Sequence, residues 1–346
     1  MKRVLTYLAA AGMMIVVAGL MFSCTKEGPQ GPPGAAGADG TDGKDANATC
    51  TQCHNFSEEI VARIIQYNAS GHGTGMTFER NGKTCAPCHT SQGFKEVLAS
   101  GADTTTASIQ NPVGTGCRTC HMIHDTYTST DWDLRTTAPI KLVINGETVD
   151  LGGSSNLCGK CHQSRKPNPY PELGKADVTI TSGYWGPHYG SMAPLFASTG
   201  AMEIPGTMPY NVTSQHKDIP CFTCHGGQAY GAQAGGHTFY MSYAYHGSDR
   251  ANTAVCKDCH PDIGSDFDYR GVQSDIKEIL TLLEDQLIAD SLIDETFHVI
   301  PGTYPVETAG IIMNYLLIHY DHSLGIHNSH YTEAVLVNSY EALIAK

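Results

Sequence analysis

The chain has 346 residues, with 34 acidic against 21 basic side chains and a formal net charge of −13, which excludes the basic face that a nucleic-acid binder presents. It is long enough to bury an ordinary core. Yet aromatic residues make up only 8%, glycines number 37, and long apolar runs are confined to the N-terminus and the C-terminal third.

Lys2 and Arg3 precede an apolar run from Val4 to Phe22, broken only by Thr6 and Tyr7. This is the charged n-region and apolar h-region of an export signal, although the run is also long enough for an uncleaved membrane helix. Leu20-Met21-Phe22-Ser23-Cys24 resembles a bacterial lipoprotein processing site, with Phe22 bulkier than such sites usually accept. On that reading residues 1–23 are removed and Cys24, the odd thirteenth cysteine, becomes a lipidated N-terminus. Thr25 stands where an inner-membrane retention signal often has Asp, which leans towards the outer membrane. Residues 24–48 then hold a Gly-x-y array from Gly28 to Asp45. A collagen-like trimer is one reading of it. A polar spacer, reaching up to about 55 Å when extended, is favoured because proline occurs only in the first two triplets.

From residue 49 the chain is organised by six copies of Cys-x-x-Cys-His: Cys50/Cys53/His54, Cys85/Cys88/His89, Cys117/Cys120/His121, Cys158/Cys161/His162, Cys221/Cys224/His225 and Cys256/Cys259/His260. The spacing is that of covalent c-type haem attachment. Each thiol can form a thioether to one vinyl group, and the adjacent histidine becomes the first axial ligand of the iron. Zinc ribbons and thiol redox sites also use Cys-x-x-Cys, but they do not explain a histidine after the second cysteine in every copy. Six haems would supply much of the apolar interior. The intervals between first cysteines, 35, 32, 41, 63 and 35 residues, are too uneven for a repeat array.

Between the motifs, Ser57-Glu58-Glu59 starts a helix with Ile60, Val61, Ile64 and Ile65 on one stripe, ended by Gly71 ahead of His72. Ile140, Leu142 and Ile144 alternate up to Asn145-Gly146, and Val149 and Leu151 alternate away, which predicts one small hairpin with a type I′ turn. The stretch from 162 to 221 reads as irregular wrapping. After the six-haem region, 49–262, residues 263–346 predict a helical C-terminal cap. Ile276, Ile279, Leu280, Leu283 and Leu287 fall at helical spacing, and further helices cover Thr308–Tyr320 and about Tyr331–Ala345. These apolar stripes are read as core, with a homo-oligomer interface as the alternative. The expected fold is mainly α and irregular.

Eleven histidines remain outside the motifs: His72, His124, His188, His216, His237, His246, His298, His319, His322, His327 and His330. His124 follows His121 too closely to reach the far face of the same iron, so as a ligand it would serve a neighbouring haem. The region from Cys50 onwards resembles the multihaem c-type cytochromes of bacterial envelopes. The resemblance rests on Ser-Gly-His72-Gly, Cys-His121-Met-Ile-His124, Gly-Pro-His188-Tyr-Gly, Ser-Gln-His216, Gly-Gly-His237-Thr-Phe and Ser-Leu-Gly-Ile-His327-Asn. It implies that His72, His124, His188, His216, His237 and His327 are distal ligands. His246 is the reserve, and His319, His322 and His330 crowd around His327.

The function expected from these features is electron transfer through six mostly bis-His haems in the cell envelope or at the cell surface, without substrate turnover. Two alternatives are a multihaem reductase with one open haem, acting on nitrite, hydroxylamine or a sulfur oxyanion, and a subunit of an extracellular haem filament. Lipidation at Cys24 would hinder polymerisation, and no Cys-x-x-Cys-Lys variant marks an open site. The expected partners are envelope redox proteins and, through the lipid, a membrane.

Overall fold

The structure, a computed structural model, describes residue 54 and residues 57–75 and 78–345. The signal segment, Cys24, the spacer, Cys50 and Cys53 lie outside the described residues. The chain divides at residues 48/49, and everything described here belongs to the second unit.

The architecture is mainly helical and irregular. Five helices are longer than two turns: α1 (Glu58–Ala69), α2 (Ser91–Ser100), α3 (Val272–Ala289), α4 (Val306–His319) and α5 (Ser329–Ile344). Ser57 caps α1 by accepting from Ile60 N–H, the side-chain cap expected of a serine there. The helix stops at Ser70, one residue before the expected Gly71, because Ser70 also caps the next turn, Gly71–Thr74, by accepting from Gly73 N–H. None of α1 is fully buried, and Ile64 and Ile65 are exposed.

The three C-terminal helices form the cap that their periodicity predicts. α4 is buried from Thr308 to Ile318, packed between α3, which buries Ile276, Leu283 and Leu287, and α5. One hydrophobic cluster joins this cap to Ile140, Leu142, Ile144, Leu151, Ile180, Trp185, Leu195 and Ile204. The stretch read as irregular wrapping is thus half of the apolar core. Asn314 ties it down inside: its Nδ2 donates to Met202 O at 2.8 Å, and Met202 N–H donates to its Oδ1 at 2.8 Å. By contrast, Ala86 and Phe94 are the only buried hydrophobics described before Ile140, and Ala234 is the only one between Ile204 and Ile276.

There are three two-stranded ladders where the sequence predicts one hairpin. β1 (Ile140–Lys141) pairs with β2 (Thr148–Val149), Ile140 opposite Val149. Its turn is not type I′. That type needs positive φ at both central residues, and here Gly146 has φ 79° while Asn145 does not. Leu142 N–H instead donates to Glu147 O at 2.7 Å, closing a four-residue connection that keeps Ile144 buried. β3 (Val178–Ile180) pairs with β6 (Gly302–Tyr304), across a separation in sequence too long for a local signal. β4 (Ser242–Tyr245) and β5 (Ser248–Ala251) form a second hairpin around His246-Gly247, whose φ values of 50° and 77° make the type I′ turn. Among the described residues no helix is long and apolar enough to cross a membrane.

Candidate functional site

Motifs two to five each wind into a short helix: Ala86–His89, Cys117–Cys120, Ser155–Gly159 and Cys221–His225. The sixth lies in the 3₁₀ turn Ala254–Asp258. Winding suits the spacing, because positions i, i+3 and i+4 of a helical turn share one face. Both thiols and the imidazole of a motif are therefore delivered to the same side. The N–H groups of His89, His121, His162 and His260 donate to the carbonyl of the first cysteine of their own motif, at 3.1, 2.9, 2.9 and 2.7 Å. The ten described motif cysteines are free of disulfides. In the fourth motif the residue after the first cysteine is Gly159. A Cβ there would stand 2.6 Å from both Ile140 Cδ1 and Leu151 Cδ1, so only glycine lets the β1–β2 hairpin pack this close.

The motif histidines come in couples with histidines from other segments. His54 faces His124 with ring centres 6.2 Å apart, His72 faces His162 at 5.8 Å, and His89 faces His188 at 6.3 Å. His216 faces His260 at 6.3 Å, and His225 faces His327 at 6.4 Å. His121 and His237 are close enough that a charge on His121 disfavours the His237 cation. A metal–nitrogen distance of about 2 Å puts the centres of two imidazoles about 6.3 Å apart in trans, and about 5.1 Å apart at a tetrahedral metal. The observed separations match the trans arrangement of axial haem ligands. Among the described residues, no three His, Cys, Asp or Glu side chains gather as a zinc site would require.

The outer ring nitrogens are held as metal-binding imidazoles require. Nδ1 of His121 donates to Trp132 O at 2.7 Å, that of His216 to Ile326 O at 2.9 Å, and that of His225 to Phe239 O at 3.0 Å. A carbonyl has no proton to give, so Nδ1 carries the hydrogen and Nε2 keeps a free lone pair. Desolvation brings His162 down to about 4, with added repulsion from His72, His225 and His327. His188 also falls to about 4, through desolvation and then Arg165, His89 and Arg80. Both are therefore neutral, the form that binds metals. His327 is the exception. Desolvation disfavours its cation too, but the Asp321 carboxylate beside it raises its pKa above the usual value.

Loop chemistry places the histidines that lie outside the motifs. His124 sits at φ 65°, and Asp131 fixes its loop by accepting from His124 N–H (2.7 Å), Thr126 N–H (2.9 Å), Thr126 Oγ1 (2.7 Å) and Tyr127 N–H (3.2 Å). Thr115, two residues before the third motif, donates to His72 O at 2.8 Å. Gln66 of α1 accepts from His237 N–H at 3.0 Å. The motifs also meet one another. The Cys88 and Cys161 thiols are hydrogen-bonded, as are those of Cys158 and Cys221, and Cys224 lies within the fields of Cys256 and Cys259.

The other histidines are placed differently. His246 is on the exposed β4–β5 turn with its ring 4.2 Å from Tyr245, away from any second imidazole ring. His298 bonds to Thr296 in a surface loop. His319 and His322 stand 6.1 Å apart, but they are neighbours at the end of α4 and no attachment motif faces them.

No protein-family model and no curated protein matches the chain. Two solved structures are similar to it. The outer cell wall cytochrome OcwA is 19% identical with a TM-score of 0.48, covering 81% of this chain and 50% of its own. The undecaheme cytochrome from the S-layer of Carboxydothermus ferrireducens is 17% identical with a TM-score of 0.43, covering 83% of this chain and 40% of its own. The chain thus spans half the length of the first and two fifths of the second.

Proposed function

We propose that this chain is an electron-transfer protein of the bacterial envelope carrying six covalently attached c-type haems. The motif cysteines anchor the porphyrins. The axial couples are His54/His124, His89/His188, His121/His237, His162/His72, His225/His327 and His260/His216. The observation that carries this reading is the facing of each motif histidine by one from a distant segment, five of the couples at trans-ligand separation. When bound, haem supplies one-electron exchange between ferric and ferrous iron, and with both axial positions taken it offers no place for a substrate.

The protein's own part is to keep these attachments contiguous. The thiol contacts link the second motif to the fourth and the fourth to the fifth, and the fifth lies beside the sixth. The first and third are linked through the short loop between His121 and His124. Lipidation at Cys24 would tether the assembly to a membrane, the outer one on the strength of Thr25, with the Gly-x-y segment as spacer and envelope redox proteins as partners.

Intact-mass measurement and electron paramagnetic resonance on the oxidised protein test this. Six haem additions and six low-spin irons are expected. A high-spin iron that binds nitrite or hydroxylamine would replace this reading with the reductase one. Cys24→Ala should release the mature chain from membranes or block its processing.

A further inference from the structure

The axial candidates differ in what holds their outer nitrogen. For His121, His216 and His225 the acceptor is a backbone carbonyl. For His327 it is a carboxylate, Asp321 Oδ1, at 2.7 Å. The only other described histidine within ion-pair reach of an acid is His298, outside the couples. Asp321 is only 4% exposed, and its second oxygen accepts from Ser323 Oγ, so the carboxylate is held in place. Its own N–H donates to Ile318 O at 3.1 Å, fixing it to the end of α4.

A full negative charge on the acceptor draws the Nδ1 hydrogen more strongly than a carbonyl dipole does, which leaves more electron density on Nε2. A more basic axial nitrogen stabilises ferric over ferrous iron, one of the ways a protein sets haem potential. We infer that Asp321 is a tuning residue: through His327 it holds the His225/His327 centre oxidised, making the fifth haem the last of the six to accept an electron. This rests on the reading of His225 and His327 as axial ligands.

The position of that centre gives the tuning a consequence. The fifth motif meets the fourth through Cys158 and Cys221, and Cys221 N–H donates to Ser155 Oγ at 3.1 Å. It meets the sixth through Cys224 and through His216, which bonds the residue next to His327. Phe222, inside the fifth motif, lies 5.6 Å from His237, the partner of the third motif's histidine. A centre that resists reduction at this junction stays oxidised while its neighbours fill, and so sets the driving force needed to cross between them.

Reductive titration of the six-haem protein, followed by optical and paramagnetic spectroscopy, tests the inference. In the wild type, the transition that His327→Ala abolishes or displaces should be the lowest of the six. Asp321→Asn should shift that one transition upwards with all six irons still low-spin, and Asp321→Glu, which keeps the charge, should shift it less. Either a fifth-haem transition that is not the lowest or six unmoved transitions in Asp321→Asn would overturn the tuning role, while a high-spin iron in His327→Ala keeps the ligation reading. If His327→Ala stays fully low-spin, the ligation reading itself fails, and the tuning role fails with it.

Discussion

His216 donates its Nδ1 hydrogen to the carbonyl of Ile326 at 2.9 Å, so the proposed distal ligand of the sixth haem is anchored beside that of the fifth. Buried Ser214 reinforces the link, its Oγ donating to His327 O at 2.7 Å and accepting from His216 N–H at 3.1 Å. Ser214→Ala leaves a part-buried N–H and carbonyl without these partners. It should lower the unfolding free energy by about 1–3 kcal/mol. All six imidazole couples should persist. A denaturant midpoint and a count of low-spin irons check both halves.

Asp131 is the hub of the loop that presents His124. A non-glycine residue at φ 65° persists only where its surroundings hold it. Asp131→Ala removes all four of the bonds it accepts, so His124 should leave its place opposite His54. One iron in six should become high-spin, read by paramagnetic resonance, with the other five unchanged. Six low-spin irons in that variant would mean that another residue completes the first centre.

Much of this arrangement was legible in the chain. The motifs announce themselves because attachment chemistry demands two thiols and an imidazole on one helical face. The cap helices are legible because Ile276, Leu283 and Leu287 recur at the helical period and are buried at it. The β3–β6 pairing was not legible, since Val178 and Tyr304 meet only through the tertiary fold. Nor was the turn at Asn145-Gly146, where burial of Ile144 and the bond from Asn145 Nδ2 to Thr199 Oγ1 at 2.9 Å outweigh local turn preference. The type I′ turn went instead to His246-Gly247. Nothing in the spacing of the chain says which outlying histidine faces which motif, because each couple joins segments that only folding brings together.

Asn314 is a polar residue in the middle of an apolar helix, and its role is to satisfy a neighbour. Asn314→Leu would leave Met202 N–H and C=O, both in a buried residue, without their side-chain partner. The expected cost is about 3 kcal/mol, more than the added apolar volume returns. Thermal or denaturant unfolding of the haem-loaded protein measures it. A variant as stable as the wild type would show that another donor and acceptor replace the amide.

The uneven distribution of side-chain core predicts how the chain behaves when haem attachment is blocked by replacing the motif cysteines with alanine. Ordering the backbone costs about 1–2 kcal/mol per residue, which buried surface has to offset. The core built from residues 140–204 and the cap has that surface, with α4 buried from Thr308 to Ile318. α1 buries none of its residues, and α2 has Phe94 as its one buried large side chain. In the haem-free chain, amides of α4 and α5 should therefore stay protected from hydrogen exchange, while those of α1 and α2 exchange at near-unfolded rates. In the haem-loaded protein both sets should be protected. Equal protection of α1 and α4 without haem would show that side-chain packing alone holds the motif-bearing region.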